Sequence, residues 1–104
     1  MLNTFYFSSD SFELGNDDLE KMDKFVDFIN GLNYEYYLRV LGCSDSSGEC
    51  DSILDLSKLR AGNVKKHLIE RNISEDNISC FYFGEYNHFG GNPRKVIIQI
   101  ICEE

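Results

Sequence analysis

Apolar residues along the chain come in four short bursts, and between the first three lie two longer stretches where they recur at three- and four-residue steps. The first burst, Thr4-Phe5-Tyr6-Phe7, is rich in aromatics and predicts a short strand. Ser8 to Gly15 is polar and turn-prone. Asn16 or Asp17 is placed to cap a helix, with Asp17, Asp18 and Glu20 where the helix dipole favours acids. Leu19, Met22, Val26 and Ile29 then form one apolar face, and Gly31 is a natural stop. Tyr36 to Leu41 predicts a second strand ending at Gly42, followed by a loop from Cys43 to Asp51. A second helix is expected from about Ser52 to Glu70, then a connector from Ile73 to Asn77 and a third strand from Ile78 to Phe83. Gly84 to Pro93 is a polar loop. The fourth burst, Lys95 to Cys102, is nearly unbroken in its apolar character, which predicts a central strand covered on both faces.

The order β-α-β-α-β-β predicts an α/β fold of the α+β sandwich kind: a mixed four-stranded sheet with both helices packed on one face. The third and fourth strands have no helix between them, so they are either antiparallel neighbours or separated in the sheet. The whole chain, residues 1–104, fits one domain.

Composition narrows the function classes. Hydrophobic residues make up 42 %, enough for one core, and no apolar run approaches the ~18 residues of a membrane span. The first residues lack a basic segment followed by an apolar run, so no signal peptide is expected there. A net charge of −8 argues against nucleic acid as a partner, because phosphate binding needs clustered Lys and Arg; it also disfavours docking on anionic lipid. Cys43, Cys50, Cys80 and Cys102 form no C-x-x-C pair, and neither His67 nor His88 stands at zinc-finger spacing from them, so no metal or other cofactor is expected. Free buried thiols suit Cys80 and Cys102; an oxidising compartment would permit a Cys43–Cys50 staple.

One residue breaks the pattern of the second helix. Ile53, Leu56, Val64 and Leu68 share a stripe, and Arg60 sits in the middle of it. An unpaired guanidinium cannot be buried there, so it must snorkel to an edge, pair with a carboxylate or line a pocket. The loop at the carboxyl end of the second strand offers Asp45, and such loops are common ligand sites in α/β folds. Those two residues alone fit a plain ion pair as well as a ligand site.

Gly42-Cys43-Ser44-Asp45-Ser46-Ser47-Gly48, followed by Leu56-Ser57-Lys58-Leu59-Arg60-Ala61-Gly62-Asn63-Val64, resembles the signature of OmpA C-terminal-like domains, roughly G-H-T-D-x-x-G and then N-x-x-L-S-x-x-R-A-x-x-V. Phe7-Ser8-Ser9-Asp10-Ser11-Phe12-Glu13-Leu14 is similar to the family's first-strand exit, Phe83-Gly84-Glu85 to its y-G-e, and Arg94-Lys95-Val96 to its closing R-R-V. The resemblance covers nearly the whole chain and implies non-covalent binding of peptidoglycan through the diaminopimelate of its stem peptide. It implies that Asp45 takes the ligand's ammonium and Arg60 its carboxylate in a bidentate pair, with Ser44, Ile53 and Arg94 also at the ligand. The sequence departs from the family at Cys43 (for His), Ser44 (for Thr), Ile53 (for Asn), Pro93 (for Asn) and Lys95 (for Arg). Ile53 offers no hydrogen bond where the family has an amide, a loss on the order of 1 kcal/mol or more to a polar ligand.

Nothing in the chain has the context of a catalytic nucleophile, and His67 has no evident acid partner. The resemblance therefore implies a wall-anchoring module of the bacterial periplasm or cell envelope, not an enzyme. Its alternative is a degenerate copy of the same fold that serves as an interaction part of an envelope or secretion assembly. Tyr86-Asn87-His88-Phe89 marks a loop tip able to touch a partner.

Overall fold

A computed structural model describes residues 3–8, 11–32, 34–43, 50–82 and 94–103, with the side chains of 50–55 and 103 outside the description. The elements are β1 (Thr4–Tyr6), α1 (Asn16–Asn30), β2 (Glu35–Gly42), α2 (Cys50–Glu70), a 3-10 turn at Glu75–Asn77, β3 (Ile78–Tyr82) and β4 (Lys95–Glu103). The expected order and mixed sheet are present, and the strands lie as β1-β4-β2-β3. β4 is antiparallel to both neighbours, while β2 and β3 are parallel across the α2 crossover. The question left open by the missing helix is resolved: β3 and β4 are not neighbours, because β2 lies between them.

Period-2 alternation places one set of side chains under the helices. Leu38 faces Ile100 and Ile78, Val40 faces Ile98 and Cys80, and Val96 faces Phe5 and Gly42. Phe5, Leu38, Val40, Val96 and Ile98 are buried against Met22, Phe25, Val26 and Ile29 of α1 and Ala61, Val64 and Leu68 of α2. Both helices therefore cover one face. The expected double covering of β4 does not hold along its length: on the other face Tyr37, Arg39 and Phe81 are exposed, and Ile97, Gln99 and Ile101 are half-buried. Burial on that face is confined to one end, at Thr4, Leu41 and Lys95. Leu19 and Leu56, expected in the core, are half-buried at its margin.

The helix ends follow local chemistry. The cap of α1 is Gly15, one residue before the expected Asn16, and Asp18 Oδ2 accepts the Gly15 N–H at 3.1 Å. Past the end of α2, Asn72 is left-handed at φ 69°, Asn72 N–H donates to Ile69 O and Ile73 N–H donates to Leu68 O. That is a Schellman closure, with the buried pair Ile73 and Leu68 as its apolar contact.

Two glycines near α2 have opposite roles. A Cβ on Gly42 would stand 2.3 Å from Ser57 O and 3.0 Å from the Ala61 Cβ, so the end of β2 touches the helix backbone and tolerates no side chain. A Cβ on Gly62 meets nothing within 4 Å. Gly42→Ala should lower stability by about 2 kcal/mol or more, because backbone must shift to admit the methyl. Gly62→Ala should raise it by about 0.5–1 kcal/mol through helix propensity. Urea unfolding of the two variants checks both signs.

Candidate functional site

The carboxyl ends of β1, β2 and β3 and the amino ends of β4 and α2 lie at one end of the sheet, as the pairing directions require. Arg60 is held over that end because Ser57 and Ala61, one turn and one residue away on α2, press against Gly42. Ser57, Arg60 and Ala61 are all fully buried.

The guanidinium of Arg60 works as a three-way donor. Nε donates to Ser11 O at 2.8 Å, Nη2 to Ser8 O at 3.2 Å and Nη1 to Cys43 O at 3.3 Å. Its Cζ lies 5.4 Å from the centroid of the Phe7 ring, a cation–π distance. The planar fork thus ties the loop after β1 to the end of β2 through main-chain carbonyls of both. Asn63, on the same helix, adds a second tie by donating from Nδ2 to Phe12 O at 2.7 Å. Phe7 N–H donates to Arg94 O at 2.9 Å, which brings half-buried Arg94 to the same end as Arg60.

The expected site residues are placed as follows. The Arg60 guanidinium lies over the Phe7 ring, and Arg94 meets Phe7 through its main-chain carbonyl. Ser44 and Asp45 lie outside the described residues, as does the whole 83–93 segment; they follow directly from Cys43, whose carbonyl Arg60 holds. Of Ile53 only the helical backbone is described, on the first turns of α2. The sequence reading did not single out Asn63 or the carbonyls of Ser8, Ser11 and Cys43. Backbone acceptors leave no residue-type signal, and an Asn on a helix reads as surface.

Cys43 is a free, fully buried thiol, so it is not stapled to Cys50. Burial pushes the Cys43 thiol up from its ordinary value, and the Lys95 ammonium only partly offsets this. Cys80, also free, is raised by burial against the opposing pull of Lys65 and a hydrogen bond with Tyr82. Among the described residues no group of acids, cysteines and histidines is arranged to hold a metal ion.

The family model of the OmpA family matches residues 6–96, which span both strand-end loops and Arg60. This chain belongs to the OmpA family. Solved structures share the fold of this OmpA-family domain at low identity. The peptidoglycan-associated lipoprotein of Burkholderia pseudomallei superimposes with a TM-score of 0.79 at 14 % identity, over 95 % of this chain and 90 % of that one. The C-terminal domain of Helicobacter pylori MotB gives 0.82 at 18 % identity, over 95 % and 84 %. An outer membrane protein of Borrelia burgdorferi B31 gives 0.72 at 19 % identity, over 91 % and 81 %.

Two outcomes follow from the geometry of this OmpA-family site. Arg60→Lys keeps the charge but loses the fork, so it should destabilise the domain on the order of 3 kcal/mol, against about 1 kcal/mol for Asn63→Ala; thermal or urea unfolding measures both. Thiol labelling of the native domain should modify exposed Cys102 quickly and Cys43 only on unfolding, since the thiolate is the reactive form.

Proposed function

We propose that this OmpA-family domain binds peptidoglycan non-covalently through the diaminopimelate of the stem peptide and so anchors an envelope protein or assembly to the bacterial wall. The observation that carries this reading is the Arg60 guanidinium on the Cys43 carbonyl, at the sheet end where Ser44 and Asp45 follow and where Arg94 also stands, within a chain that belongs to the OmpA family. The names of similar structures support it: one is a peptidoglycan-associated lipoprotein and another an outer membrane protein. On this reading the domain acts in the periplasm or cell envelope as a binding module and not as an enzyme, with no cofactor.

The ligand's free amino-acid end carries one ammonium and one carboxylate. Asp45 takes the ammonium and Arg60 the carboxylate, with Ser44 and Arg94 beside them and Ile53 supplying an apolar wall. Arg60 has no exposed surface and donates to three carbonyls, which sets the entry condition. A carboxylate has to enter among these bonds, alongside those acceptors or in place of one of them. The Cys43 carbonyl, at 3.3 Å the longest of the three, is the weakest to displace, and a charge-assisted bond is a stronger substitute for it.

A second reading has its own support. Full burial of Arg60 and the apolar Ile53 also suit a domain that kept the family's architecture and serves as an interaction part of an envelope or secretion assembly. Calorimetric titration with diaminopimelate-containing stem peptide separates the two. The wild type should release heat; Asp45→Asn should lose about 2 kcal/mol or more of affinity, and Ile53→Asn should gain about 1 kcal/mol from the restored amide. No heat from either wild type or Ile53→Asn, both shown folded, rejects wall binding and leaves the interaction reading.

A further inference from the structure

Arg60 and Asn63 stand about one turn apart on α2, and they grip two consecutive peptide units of the loop after β1. Arg60 Nε donates to Ser11 O at 2.8 Å, and Asn63 Nδ2 donates to Phe12 O at 2.7 Å. The loop also has bonds of its own. Ser11 N–H donates to Ser8 O at 3.0 Å, and the Ser11 hydroxyl accepts Glu13 N–H at 3.2 Å. Ser8 O accepts from Arg60 Nη2 as well, at 3.2 Å. The two loop carbonyls on the guanidinium therefore belong to one hydrogen-bonded unit, and Phe12 O is the next carbonyl along it.

The two side chains constrain that unit unequally. Arg60 is long and rotamer-rich, so its head can follow the carbonyls if they shift. Asn63 is short, and the helix behind it is fixed by Ala61 and Val64 in the core. A short side chain on a rigid element sets a position that a long one can only follow. The bond from Asn63 to Phe12 O thus sets where the Ser8 and Ser11 carbonyls stand relative to α2. Those carbonyls, with Cys43 O on the other side, set the plane of the guanidinium.

We propose that Asn63 is a positioning residue for ligand binding: through Phe12 O it fixes the loop carbonyls that orient Arg60, and so the plane in which Arg60 meets a ligand carboxylate. This inference rests on the peptidoglycan reading above. A bidentate pair needs two parallel N–H···O bonds in the plane of the fork. A tilted guanidinium therefore loses more with a carboxylate than with a neutral amide, which offers one acceptor oxygen. Asn63 touches no ligand and acts only through Arg60.

The experiment titrates the full chain with two probes: the stem peptide with its free diaminopimelate carboxylate, and the same peptide with that carboxylate converted to the amide. The wild type should prefer the carboxylate form by about tenfold or more. Asn63→Ala, shown folded by circular dichroism, should bind the carboxylate form about fivefold more weakly and the amide form as before. A merely structural role would weaken both forms alike. Asn63→Gln, which keeps an amide donor on one further methylene, should retain most of the preference. If the wild type binds but Asn63→Ala weakens both forms equally or neither, the positioning role is overturned and the peptidoglycan reading stands. The same holds if Asn63→Gln loses the preference as fully as Asn63→Ala. A wild type that binds neither form overturns both.

Discussion

A buried guanidinium can stay in a small α/β domain only if its donors are used, and the arrangement around Arg60 follows from that constraint. Placing an ion in a low-dielectric interior is costly, and backbone carbonyls aimed at its donors offset that cost. Those carbonyls come from Ser8 and Ser11 on one side and Cys43 on the other. The described residues of the loop after β1 form no helix or strand, and Arg60 and Asn63 hold that loop against α2. Without the fork, the strand ends would remain but the loops that leave them would lose their common anchor.

For Arg60 to reach both loops, α2 must lie unusually close to β2. Gly42 allows this by having no Cβ, and Ser57 and Ala61 allow it by being small. The apolar stripe of α2 is therefore interrupted where the helix is nearest the sheet. There it trades hydrophobic burial for contact with backbone. Farther along, Val64 and Leu68 resume the ordinary packing, and the Asn72 closure stops the helix so that Ile73 turns back into the core. One end of the helix thus serves the site and the other the stability of the fold.

The sheet itself is similarly divided. At the end that carries Arg60, residues on the helix-free face such as Leu41 and Lys95 are also buried. Toward the opposite end Phe28 stands exposed beside a groove lined by Phe25, Ile98 and Ile100.

Much of this was legible in the chain alone. Period-2 and three-to-four-residue repeats gave the order of elements and most of the core, since periodicity reports directly on which face is apolar. The motif around Asp45 and Arg60 pointed to the family, and the misfit of Arg60 on an apolar stripe singled out a helix cation that the fold buries among carbonyls. What the sequence could not carry was whatever depends on partners distant along the chain. Phe25, three residues after Met22 and four before Ile29, widens the α1 stripe, and only the packed sheet shows that this side of the helix is buried too. The double covering of β4 failed because its apolar run reflects a central position between β1 and β2, not helices on both faces. Strand order, with β2 between β3 and β4, is a choice among pairings that local propensity scores alike. The Ser8, Ser11 and Cys43 oxygens that meet Arg60 are main-chain carbonyls, identical in every residue, so only the tertiary structure decided which of them turn toward the guanidinium.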